Sequence, residues 1–198
     1  MSKLAEAIIA HIALLPEGTP VSAKELLHLG PRANVDQTLS RLVRRGQVMR
    51  AGRGIYVRPI ETRFGTRAPS VEKMVEALAL AKGETVAAHG AAAANRLGLT
   101  TQVPVRSLFL TSGPSRRLQL GAQTVELRHA PAWQLLMPGR PAGEAVRALA
   151  WLGKEHTGEA LQVLRRQLPA SALKEIADAR NRLPTWMAEQ VSRLAANG

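Results

Sequence analysis

The chain has 198 residues, 45% of them hydrophobic, so one large domain or two small ones can bury a real core. Lysine and arginine number 27 against 15 aspartates and glutamates, and the net charge of +12 favours polyanions, either nucleic acid or an anionic membrane. The absence of cysteine excludes disulfides, thiolate zinc sites and a cysteine nucleophile.

In chain order, Leu4, Ile8, Ile12 and Leu15 recur at helical steps and predict a helix over residues 3–15, ended by Pro16-Glu17-Gly18. Ser22 with Glu25 forms a capping-box pattern and predicts a second helix through about Leu29, broken by Gly30-Pro31. A third helix begins near Arg32 to Val35 and stops at Gly46 after Arg44-Arg45. Val48-Met49-Arg50 and Ile55-Tyr56-Val57 are β-prone, and Ala51-Gly52-Arg53-Gly54 joins them as a hairpin turn whose glycines suit positive φ. Helix, helix, helix, hairpin is the order of a winged helix-turn-helix, assigned to residues 1–60.

Residues 61–69, polar and basic around Gly65, are read as a linker. A second domain occupies 70–198. It opens with a helix from Ser70 carrying Met74, Leu78 and Ala81, followed by a small-residue helix from His89 to Leu97 that ends at Gly98. Strands are expected over Val105–Thr111 and Gln123–Arg128, with Val125 and Leu127 on one face of the latter and Thr124, Glu126 and Arg128 on the other. After Pro131 helices are expected near 142–153, 157–167, 170–180 and 184–195. The expected fold class is α+β: an N-terminal winged helix-turn-helix, then a mixed α/β domain closed by C-terminal helices.

On the third helix Val35, Leu39, Leu42 and Val43 share an arc of about 100° and face the core. The other side offers Asn34, Gln37, Thr38, Arg41 and Arg44. Arginine pairs with guanine O6 and N7, and Gln or Asn with adenine N6 and N7, so these five are the candidate base readers. Arg32, Arg45, Arg50, Arg53, Arg58, Arg63 and Arg67 are the candidate wing and phosphate contacts. Between residues 32 and 67 nine arginines face only Asp36 and Glu61, placing +7 of the net charge in 36 residues. Arg116 and Arg117, after the Ser112-Gly113-Pro114 turn, are possible further phosphate contacts.

Other chemistries find less support. The histidines at 11, 28, 89, 129 and 156 have no metal-ligand spacing, so no metal site is expected. Gly52-Arg53-Gly54 lacks the third glycine of a dinucleotide fingerprint and the Gly-Lys-Ser/Thr of a P-loop. Glu126-Leu127-Arg128 loosely echoes a metal-dependent nuclease element, with Glu84 as the nearest upstream acid, and no aspartate of the second half precedes Asp178. No Gly-x-Ser-x-Gly elbow occurs, and no catalytic residue or cofactor is assigned. An RNA-binding or protein-interaction module is the remaining alternative. No apolar run reaches the ~18 residues of a membrane span, since Val86 to Ala94 is broken by His89 and Gly90. No secretory signal is read, and a cytoplasmic location is expected.

The hairpin segment RAGRGIYVRP, together with AAANRLGLTTQVP and LFLTSGPSRRL further on, resembles the AbiEi family of antitoxins from bacterial type IV toxin-antitoxin systems. The resemblance covers most of the chain; the hairpin motif is widespread among regulators and the later pair is more specific. It implies a non-enzymatic repressor that binds inverted repeats of double-stranded DNA in its own promoter, as a monomer or a DNA-induced dimer. It further implies a C-terminal domain required to neutralise a nucleotidyltransferase-like toxin without a stable complex. On that resemblance Gln37, Thr38, Arg41 and Arg44 read bases, and Arg50 and Arg53 are wing contacts. The last 50 residues carry no motif of that family.

Overall fold

The computed structural model describes residues 2–196. Its elements are mixed α+β, and the chain divides into two compact units, Met1–Glu84 with Arg116–Glu126, and Thr85–Ser115 with Leu127–Gly198. That division differs from a boundary at 60–70, because the chain leaves the first unit after Glu84 and returns to it at Arg116.

The first unit begins with α1 (Lys3–Ala13), capped by the Ser2 side chain, which accepts from the Ala5 amide. Its Ala5, Ile8 and Ile12 are buried. A short strand, β1 (Val21–Ser22), precedes α2 (Arg32–Arg44), whose Val35, Leu39 and Leu42 are fully buried against the α1 residues, Val21, Leu26 and Tyr56. Strands β2 (Met49–Gly52) and β3 (Ile55–Val57) form the hairpin, and β1 pairs antiparallel with β3 to give the order β1-β3-β2.

The helix expected over 22–29 is absent. The capping box does form, with the Ser22 hydroxyl donating to Glu25 Oε1 at 2.6 Å and the Glu25 amide to Ser22 Oγ at 3.4 Å. It caps a run of turns closed by i→i+3 bonds, among them Leu29 N–H to the Leu26 carbonyl at 2.9 Å. Gly30-Pro31 leaves too few residues for a nucleated helix to propagate.

The expected linker is also ordered. Residues 61–67 belong to an antiparallel hairpin, β4 (Ile60–Thr62) and β5 (Gly65–Arg67), in register Ile60↔Arg67 and Thr62↔Gly65. Helix α3 (Val71–Lys82) follows, capped by Ser70 and closed by Gly83 in the left-handed conformation, φ 64°. Its Lys73 meets Glu17 at 2.9 Å, and this hydrogen bond and charge hold the Glu17 carboxyl below its ordinary range.

In the second unit β6 (Val86–Ala88) pairs antiparallel with β7 (Ser107–Thr111), shorter than the strand expected from Val105. Strand β8 (Arg116–Leu120) and the first residues of β9 (Gln123–His129) belong to the first unit, and the strand order is β6-β7-β9-β8. Between β6 and β7 lies α4 (Gly90–Arg96), whose N-terminal cap is the His89 side chain. His89 Nδ1 accepts from the Ala91 amide at 3.2 Å, which requires the unprotonated nitrogen. Burial, with Arg128 nearby, pushes the His89 pKa down and favours that form.

Helices α5 (Pro141–Leu152), α6 (Lys154–Gln167), α7 (Ala170–Asp178) and α8 (Thr185–Ala196) close the unit around Val146, Leu149, Leu161, Leu164, Ile176 and Met187. Arg147 of α5 is only 2% exposed and donates to the carbonyls of Gln134 and Leu136; burial lowers its pKa to about 10.

The small residues of α4 allow it to approach α5 closely. A Cβ added at Gly90 would lie 2.3 Å from the Arg147 carbonyl oxygen and 2.6 Å from Trp151 Cβ. Gly90→Ala is therefore expected to cost about 2 kcal/mol by overpacking, read as a lower urea midpoint at unchanged slope. A midpoint equal to wild type would show that α4 does not seat on α5 at this distance.

Candidate nucleic-acid interface

The exposed side of α2 presents one continuous stripe. Asn34, Gln37, Arg41 and Arg44 follow at steps of three, four and three, and all four are exposed while the opposite side of the helix is buried. Pro31 before the helix and Gly46 after it, φ 71°, fix its ends. Thr38 does not join the stripe. It is 6% exposed and packs with the buried side, so it is unavailable to read a base.

Several polar groups of α2 already have local partners. Arg32 Nε meets Asp36 at 2.9 Å in an exposed i,i+4 pair, an interaction that contributes little and is readily exchanged for a phosphate. The Ser40 hydroxyl donates to the Asp36 carbonyl at 2.9 Å, and Arg44 Nε to the Ser40 carbonyl at 3.4 Å. Arg41, one turn after Gln37, stands on the middle of the stripe.

The β2–β3 hairpin keeps Arg50 and Arg53 exposed. Arg50 Nε donates to the Gly52 carbonyl two residues on within β2 at 3.2 Å, beside a register shift between Arg50 and Gly52. The two glycines have different reasons. Gly54 takes positive φ, 70°, as the turn requires, whereas Gly52 does not; a Cβ there would lie 3.1 Å from Leu118 Cδ2 of β8. The hairpin is thus packed along β2 by Leu118, and Gly52 admits a neighbouring strand where a positive φ was expected.

Arg45 and Arg58 line one open cleft of about 720 Å³ with Gln47, Ile60, Glu61 and Thr66, between the end of α2 and the β4–β5 hairpin. Arg58 Nη1 also donates to the Ala13 carbonyl at the end of α1, 3.1 Å. At the tip of β4–β5 the Arg63 guanidinium lies 4.6 Å from the centroid of the Phe64 ring. Arg67 is exposed, with Nη1 on the Ala68 carbonyl at 3.3 Å. Phe64 is the residue that sequence reasoning missed. Its signal was Thr62-Arg63-Phe64-Gly65 between β-branched residues, an aromatic at a glycine turn.

The two arginines at the start of β8 differ. Arg116 donates to both carboxylate oxygens of Glu84, at 2.9 and 2.5 Å, and both side chains are largely buried, so Arg116 is a structural residue and no phosphate contact. Arg117 is exposed and lies 3.2 Å from Glu126. Glu126 is itself buried on β9, contrary to an outward-facing charge, because both faces of the strand are covered at Val125, Glu126 and Leu127. The two carboxylates of the nuclease alternative are therefore each held by an arginine. Folding does bring His11 and His28 together, with ring centroids 5.3 Å apart. Among the described residues no three His, Asp or Glu side chains converge as a metal site would need, and no helix is long and apolar enough to cross a membrane.

Residues 7–173 match the family described as "Family of unknown function (DUF6088)", and the chain belongs to that family. No curated protein and no solved structure matches it.

Proposed function

For this DUF6088 member we propose a non-enzymatic transcriptional repressor that binds duplex DNA through a winged helix-turn-helix in residues 1–60 and serves as a type IV antitoxin. The observation that carries the DNA-binding reading is the exposed stripe Asn34, Gln37, Arg41 and Arg44 on a helix whose other side is sealed into a core. Helix α1, the turns over 23–30, α2 and the β2–β3 hairpin give the order helix, turn, helix, wing, and the sheet order β1-β3-β2 supports it. An α-helix fits the major groove, where arginine and amide side chains distinguish base pairs. The surrounding arginines supply the phosphate contacts that fix register.

The antitoxin part rests on the resemblance of AAANRLGLTTQVP and LFLTSGPSRRL to the AbiEi family. In that reading the protein works in the cytoplasm, two copies occupy an inverted repeat of its own promoter, and the toxin is neutralised without a stable complex. Footprinting on the chain's upstream region tests repression: a protected inverted repeat supports it, and uniform weak protection counts against it. Competition between duplex DNA and RNA separates the reading from an RNA-binding module. Co-expression with a neighbouring nucleotidyltransferase-like gene tests antitoxicity, which fails if growth is not restored.

The wing has its own expected result. Arg53→Ala should lower affinity for every duplex alike and reduce the slope of log K against log salt by about 0.9, one phosphate contact. Fluorescence anisotropy over a salt series measures both. An unchanged slope with an altered sequence preference would move Arg53 from phosphate to base.

A further inference from the structure

We infer that the tip of the β4–β5 hairpin is a second DNA-contacting element, in which Phe64 enters the minor groove beside the major groove read by α2 and wedges between two base pairs. The inference rests on the duplex-binding reading above and adds a site to it. Phe64 is 86% exposed. The chain has two phenylalanines, one tyrosine and three tryptophans in 198 residues. Placing one of six aromatics in water forgoes the stabilisation its burial would supply.

The tip is built to hold that ring outward. Thr62 Oγ1 donates to the Gly65 carbonyl at 2.7 Å and accepts from the Phe64 amide at 3.2 Å, so one side chain ties both sides of the turn. Gly65 takes φ 107°, which L side chains rarely adopt. The Arg63 guanidinium stacked 4.6 Å from the ring centroid orients the ring and brings a cation to where a phosphate strand would pass. Of the other exposed apolar side chains, Leu14 and Leu80 lie on or beside helices, and Val103 and Val105 lie in the loop between α4 and β7.

Position within the first unit gives the groove. The cleft lined by Arg45 and Gln47 on one side and Ile60, Glu61 and Thr66 on the other separates the end of α2 from the hairpin; Arg58 and Glu17 also line it, the Glu17 carboxylate being held by Lys73. On a duplex, one phosphate strand separates a major groove from the neighbouring minor groove. With α2 in the major groove, that strand lies over the cleft against Arg45 and Arg58, and the hairpin beyond it meets the minor groove. Apolar wedges at such positions unstack a base step and kink the duplex. Flexible pyrimidine–purine steps lower the cost and would be preferred.

The test uses full-length protein and a duplex spanning the footprint in the chain's upstream region, with 2-aminopurine placed at successive adenines. Wild type should raise fluorescence at one step beside the region protected by α2, reporting unstacking. Phe64→Ala should abolish that rise and weaken binding about tenfold, and Phe64→Trp should retain the rise. An equal rise with Phe64→Ala would overturn the inference while leaving α2 as reader. So would a Phe64→Ala chain whose oligomeric state changes while the rise is unchanged, which would assign the ring to protein contact. Wild type without a footprint on duplex DNA would remove both the inference and the reading beneath it.

Discussion

Arg41→Ala is expected to lower affinity for the protected promoter site by about 5–150-fold, equivalent to about 1–3 kcal/mol, and to relax preference at one base position. The size follows from where the side chain sits. Arg41 is exposed at the middle of the α2 stripe, one turn from Gln37 and three residues from Arg44, which on the proposed reading would turn it to the groove. Losing a bidentate guanine contact removes discrimination, whereas losing a phosphate contact weakens all sequences alike. Binding to the site and to a scrambled duplex, measured at one salt concentration, separates the two. Thermal stability should be unchanged, because the residue packs against no core. If Arg41→Ala binds every sequence as wild type does, α2 is not the reading helix.

Much of α2 was legible in the sequence because its signals are local. Pro31 and Gly46 bound it, and Val35, Leu39 and Leu42 mark its buried side; all three are at most 1% exposed. Thr38 was misplaced because it lies about 60° round the helix from Val35, at the margin where packing decides. In this fold the neighbours reach far enough to cover it. The β4–β5 hairpin escaped because its strands are three residues each and largely exposed, so they carry no alternation of apolar and polar residues. Strand β8 escaped for another reason: its Arg116-Arg117 start, just after a turn, suggests phosphate contacts, and the carboxylate that binds Arg116 lies 32 residues earlier. Local pattern can mark a cap or a breaker, but it does not show which distant charge will meet an arginine.

That distant pair carries the largest expected effect on stability. Glu84→Gln should cost about 3 kcal/mol, because it leaves the Arg116 guanidinium largely buried without its carboxylate. The side chains of Arg116 and Glu84 are 15% and 11% exposed, and the carboxylate takes two hydrogen bonds from the guanidinium. Glu84 is the last residue before the chain leaves the first unit and Arg116 the first on its return, so the pair fastens both passages at one point. For a chain of this length the melting temperature should fall by about 6–12 °C. Replacing both partners, as Glu84→Met with Arg116→Leu, should recover most of the loss, since apolar groups of similar volume leave no orphaned charge. The same variants decide the enzymatic alternative. A nuclease using Glu84 and Glu126 predicts metal-dependent cleavage that Glu84→Gln abolishes at unchanged melting temperature. A structural pair predicts a lower melting temperature, recovery in the double variant, and promoter binding that returns once the fold is restored. Failure of the double variant to recover stability would mean that Glu84 and Arg116 hold the fold through other partners more than through each other.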